Sequence, residues 1–125
     1  MRSSVPISAT KTRQDFILPS DIHKSYGVKD IPGIEVLDIA VSNKKDKKYA
    51  ITVKYDGITK TIHYGSSNYG QYEDKTPLSA FEDSNHYDEK RRRSYLARSS
   101  KISDSTGLAA NNPFSANRYS IITLC

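Results

Sequence analysis

"YAITVKYDGITKTIHYG" (residues 49–65) holds the pattern that decides the fold. Asp56-Gly57 is the dipeptide that a two-residue type I′ turn requires, because both central residues take positive φ. Such a turn pairs Tyr55 with Ile58, Val53 with Lys60, Ile51 with Ile62 and Tyr49 with Tyr64. Apart from Lys60 these residues are apolar or aromatic, and they share one face. Ala50, Thr52, Lys54, Thr59, Thr61 and His63 take the other. Turn, register and alternation therefore agree on an antiparallel hairpin with one buried side. A bare hairpin is marginal in water, so a third strand is needed. "IEVLDIAVS" (34–42) is β-branched enough to supply it. Its apolar residues occupy both parities, which predicts a strand covered on both faces. "NKKDKK" (43–48), between the two, reads as a solvated polar loop.

Beyond the hairpin, "GSSNYGQYEDKTPLSAFEDSN" (65–85) has no periodicity and is broken by Gly65, Gly70 and Pro77. It reads as a long surface loop. "HYDEKRRRSYLARSS" (86–100) predicts a helix over 86–99, capped by Ser84 or Asn85. Asp88 and Glu89 in the first turn and Arg98 near the end suit the helix dipole. Tyr87, Arg91, Tyr95 and Arg98 recur at spacings that place them along one side, and Tyr95 and Leu96 are the expected anchors onto the sheet. The tail "FSANRYSIITLC" (114–125) ends in a β-prone run, Tyr119 to Leu124. Residues 1–33 are rich in Ser, Thr and Pro and read as an extended or flexible arm. The expected fold class is α+β: a small antiparallel sheet of about three strands packed with one main helix near 86–99. A single domain then spans 34–125, with the arm before it and the tail closing it.

The chain has 125 residues, nine tyrosines and no tryptophan, which suits one thin core with amphipathic rings at its margin. Net charge is +5, which permits an acidic partner. The charge is uneven: residues 65–87 hold one cation and four acids, and residues 88–125 hold seven cations and three acids. A single cysteine, Cys125, permits no internal disulfide. No segment reaches the ~20 apolar residues of a membrane span, and no signal-peptide pattern opens the chain. These features lead to the expectation of a soluble protein made inside the cell.

Catalytic patterns are thin. Of the three histidines, only His86 has acids close in sequence, Asp88 and Glu89, and no HExxH or CxxC spacing accompanies it. "GSSNYG" (65–70) lacks the Lys-Ser/Thr of a phosphate loop. The expectation is a non-enzyme with no catalytic residue, no metal and no cofactor. The interaction candidates are Lys90, Arg91, Arg92, Arg93 and Arg98, with Tyr95 beside them. On a helix, consecutive cations spread by about 100° each, so they form no single stripe. Two uses stay open. They can neutralise phosphates of a nucleic acid, or they can pair with protein carboxylates, for which Glu73, Asp74, Glu82 and Asp83 are at hand.

The order of several short motifs resembles a small uncharacterised protein family of the nucleocytoplasmic large DNA viruses. Lys47-Lys48-Tyr49 and Ile62-His63-Tyr64-Gly65 match its two strand motifs. His86, Asp88, Arg91, Tyr95 and Arg98 match its helix, and Ser115-Ala116 with Tyr119-Ser120 match its tail. The chain departs from the pattern in a longer 65–85 segment, in Ser99 where the family has His, and in Leu124-Cys125 where it has Trp. The resemblance implies a virion component made in the host cytoplasm, a minor capsid protein in a large assembly. Its implied partners are the major capsid protein and other minor capsid proteins, with nucleic acid as the alternative. It implies no catalytic residue.

Overall fold

The computed structural model describes residues 4–6, 20–104 and 107–125. Three long antiparallel strands, β2 (Glu35–Val41), β3 (Lys47–Tyr55) and β4 (Ile58–Ser66), form the sheet, and the short β1 (Ser4–Pro6) pairs with the edge of β2. The hairpin has the register its turn demands: Tyr55 opposite Ile58, Ile51 opposite Ile62 and Tyr49 opposite Tyr64. Asp56 and Gly57 take φ of 52° and 79°, as a type I′ turn requires. Tyr49, Ile51, Val53, Ile62 and Tyr64 are buried on the shared face.

Strand β2 differs from expectation in an instructive way. Its mixed parity comes from a β-bulge between Val36 and Asp38, which shifts the register by one residue. Val36 opposes Val53, and after the bulge Ile39 opposes Ile51 and Val41 opposes Tyr49. Ile34, Val36, Ile39 and Val41 all reach the same core, and Leu37 is left exposed.

Among the described residues three α-helices complete the α+β fold: α1 (Ser20–Tyr26), α2 (Glu89–Ser99) and α3 (Ala116–Leu124). The last corrects the β-prone reading of the tail. Residues Arg118 to Leu124 are all buried, so α3 is covered all round. Tyr119 and Leu124 pack on the sheet, whereas Ile121, Ile122 and Cys125 join a second cluster with Ile22, Val28, Leu96 and Ala110. β-Branched residues tolerate the helix here because burial outweighs propensity.

Both ends of α3 are closed by distant segments. At its N-terminus the Asp104 carboxylate accepts from the Ala116 N–H (2.8 Å) and, through its other oxygen, from the Leu108 N–H (3.0 Å). At its C-terminus the Lys75 N–H donates to the Thr123 carbonyl (2.7 Å) and the Glu73 N–H to that of Leu124 (3.4 Å).

The arm also differs from expectation where it is described. Residues 20–26 are helical, and Ile22 and Val28 are fully buried. Arg118 fastens this segment: its Nη1 donates to the carbonyl of Lys29 (2.7 Å). The Asn111 side chain adds bonds to Lys29 N and to the Gly27 carbonyl. Residues 1–3 and 7–19 lie outside the described residues, as do 105–106.

Candidate binding cleft

The site is built on the segment between β4 and α2. Rather than a surface loop, it is a packed connection organised by buried polar groups. Asp74 is its hub: one oxygen accepts from the Tyr49 hydroxyl (2.5 Å) and the Phe81 N–H (3.1 Å). Its other oxygen accepts from the Thr76 N–H and hydroxyl (3.0 and 2.6 Å). Gln71 donates to the Phe81 carbonyl and to Asn85 Oδ1, and backbone bonds join Gln71 with Ser84 and His86. Leu78 and Phe81 then pack against the sheet core. Burial raises the Tyr49 hydroxyl pKa, and so does its bond to Asp74.

Helix α2 starts three residues later than its sequence signals indicate. Tyr87 takes a φ of 52° and stays outside the helix. Asp88 is the N-cap in place of Ser84 or Asn85, and its carboxylate accepts from the N–H groups of Lys90 (3.0 Å) and Arg91 (3.2 Å). At about 100° per residue the charged side chains divide by position. Arg92, Tyr95, Leu96 and Ser99 face inward, Leu96 and Ser99 fully buried. Arg91 and Arg98 lie on one exposed flank beside Tyr95, and Lys90 and Arg93 lie on the opposite exposed flank.

A cleft of about 340 Å³ opens between α2, the 65–72 segment and the end of α3. Residues from separate sequence motifs meet in it: Lys48 and Gly65 from the strands, His86, Arg91, Tyr95 and Arg98 from the α2 region, and Ser120 and Leu124 from α3. Arg92 lines it too, with its Nε donating to a main-chain oxygen of Cys125, the last residue (3.0 Å), an ion pair to Glu89 (3.3 Å), and its guanidinium 5.4 Å from the Tyr72 ring centroid. Arg98 lies 5.9 Å from the Tyr95 ring centroid. No carboxylate side chain lines the cleft among the described residues.

Lys48 is the residue that sequence reading missed. It was assigned to a solvated loop, yet it is 2% exposed. Its ammonium donates to the Tyr69 carbonyl (2.7 Å) and to Gln71 Oε1 (2.6 Å). Burial lowers its pKa, and the field of Asp74 opposes that shift. Gly65 stands across the ladder from it, between the pairs Lys47–Ser66 and Tyr49–Tyr64. A Cβ on Gly65 would meet Leu124 Cδ1 at 2.9 Å and Lys48 Cβ at 3.2 Å, and its φ is +78°. Strand alternation alone does not mark Lys48, since it puts this residue on the face opposite Tyr49, with Ala50, Thr52 and Lys54.

Pairing of the arginines with the acidic segment, one of the two uses left open by the sequence, is not found among the described residues. Asp74 is engaged by Tyr49, Thr76 and Phe81, and Glu82 and Asp83 are exposed in a 3₁₀ turn (Glu82–Ser84). Among the described residues Lys90, Arg91, Arg93 and Arg98 form no salt bridge. Tyr95 is packed inward, and burial raises its pKa. The Cys125 thiol is buried and pushed up to about 12 by desolvation, which keeps it protonated. No group of three or more metal-ligating side chains is gathered among the described residues, and no helix there is long and apolar enough to cross a membrane. No known protein family, curated protein or solved structure matches this chain.

Proposed function

We propose that this chain is a non-enzymatic structural component of a large DNA virus particle, a minor capsid protein that cements its neighbours. In this reading the outer flank of α2 docks on an acidic surface of the major capsid protein or of an adjoining minor protein. The observation that carries the docking step is the exposed, unpaired state of Lys90 and Arg93 among the described residues. A helix that anchors through Leu96 and Ser99 holds these cations in fixed positions, and charge complementarity of this kind sets partner choice and encounter rate. The particle context is supported by the sequence resemblance over residues 34–125.

Quantitative mass spectrometry of purified virions tests the proposal. The wild-type chain is expected in stoichiometric amounts, and Lys90→Glu/Arg93→Glu is expected to be depleted at least several-fold while its circular dichroism is unchanged. Absence of the wild-type chain from virions sinks the proposal.

Nucleic-acid binding through Lys90–Arg93 is the second reading, favoured by the charge of Lys90, Arg91 and Arg93, which form no salt bridge among the described residues. It requires steeply salt-dependent binding to DNA that weakens when Arg91–Arg93 become Ala. No retardation of DNA at low salt removes it.

A further inference from the structure

The cleft has a chemistry that the outer flank of α2 does not use. Lys48 lies at its floor, and an ammonium has three N–H donors. Two reach neutral acceptors, the Tyr69 carbonyl and Gln71 Oε1. A buried cation without a bonded counter-charge is costly to hold, and an anion beside it relieves that cost. Arg91 and Arg98 stand on the rim with no salt bridge among the described residues. The Asp88 N–H donates to Nδ1 of His86 (2.9 Å), so the neutral ring carries its proton on Nε2 and offers one more donor. Tyr69 lies at the mouth, 75% exposed, and makes no ring contact among the described residues. Its own carbonyl holds Lys48, so the free ring and the buried ammonium are fixed to one another.

We propose that this cleft binds a nucleoside monophosphate, with the phosphate against Lys48, Arg91 and Arg98 and the base stacked on Tyr69. Arginine matches phosphate oxygens through paired N–H groups, and lysine adds a point charge. The volume of about 340 Å³ falls within the range of small-ligand sites. The depth of Lys48 selects a terminal phosphate over the diester of a strand passing through. Stacking on tyrosine tolerates any base, so little preference among bases is expected. The site is independent of the docking flank.

Isothermal titration of the full chain with adenosine 5′-monophosphate, adenosine and inorganic phosphate tests this. The nucleotide is expected to bind saturably, and adenosine and phosphate each at least tenfold more weakly. Arg91→Gln/Arg98→Gln, at exposed positions that leave the fold intact, is expected to weaken nucleotide binding at least tenfold. Lys48→Met is expected to abolish it, and Lys54→Gln, exposed at the turn end of β3 and outside the cleft lining, to leave it unchanged. No saturable nucleotide binding, equal binding of inorganic phosphate, or no effect of Arg91→Gln/Arg98→Gln overturns the proposal. So does a 5′-phosphorylated dinucleotide that binds at least tenfold more tightly than the mononucleotide, since the natural ligand is then a strand end.

Discussion

The segment around Asp74 and the exposed flanks of α2 are both built from charged residues, and they use that charge in opposite ways. Around Asp74 the carboxylate oxygens both accept hydrogen bonds, from Tyr49, Thr76 and Phe81. On α2, Lys90, Arg91, Arg93 and Arg98 are exposed and form no salt bridge among the described residues. The difference separates two uses of charge. Buried and fully partnered, it holds the connection to the sheet. Exposed and unpaired, it costs the fold little and is left for another molecule.

The sharpest way to break this contrast is Asp74→Ala. It leaves the Tyr49 hydroxyl and the Thr76 and Phe81 groups without their acceptor inside the protein. A loss of about 3 kcal/mol or more is expected from urea denaturation, since each unsatisfied buried group costs roughly 1–3 kcal/mol. Gly65→Ala comes next. Positive φ and the close approach to Leu124 and Lys48 together make a loss of about 2 kcal/mol the expected result. The same variant also displaces Lys48, so it should perturb the cleft as well as the fold.

Asp88→Ala removes the N-cap of α2 and is expected to cost about 1 kcal/mol, with faster amide exchange at Lys90 and Arg91. A smaller effect belongs to His86. Burial lowers its pKa first and the field of Arg91 adds to this, with Asp88 opposing. The unfolded chain therefore takes up this proton at higher pH than the folded one. The group makes no difference above its unfolded pKa near 6.5, and as pH falls through that value it costs stability until the folded pKa is passed. Denaturation midpoints at pH 7.5 and 5.5 should fall less in His86→Gln than in the wild type. An equal fall in both would remove His86 from the pH response.

The hairpin was legible because its information is local: an Asp-Gly turn fixes the register, and alternation fixes the buried face. The position of α2 was legible for the same reason, although Asp88 rather than Ser84 or Asn85 caps it. Helix α3 was not, because its closing groups come from elsewhere. Ser115 stands at the N-cap position but makes no capping bond; Asp104 caps the start and Lys75 and Glu73 donate at the end, so the bonds that close the helix come from outside the segment. Burial all round also leaves α3 without the polar stripe that marks an amphipathic helix, and Ile121, Ile122 and Thr123 imitate a strand. The mixed parity of β2 hid a bulge for a related reason, since one extra residue exchanges the faces. For the cleft, the sequence supplied Arg91, Tyr95 and Arg98 on one side of a helix. It did not supply Lys48, whose burial depends on Gly65 across the ladder and on the Tyr69 carbonyl and Gln71 side chain.

The central claim is that the exposed cations of α2 serve a partner rather than the fold. Urea denaturation of Lys90→Gln/Arg91→Gln/Arg93→Gln/Arg98→Gln tests it most directly. The expected result is a stability within about 0.5 kcal/mol of the wild type or above it, because surface changes of this kind are small and like charges repel along a helix. A loss of about 2 kcal/mol or more would show that these cations hold the structure together, and would contradict the claim.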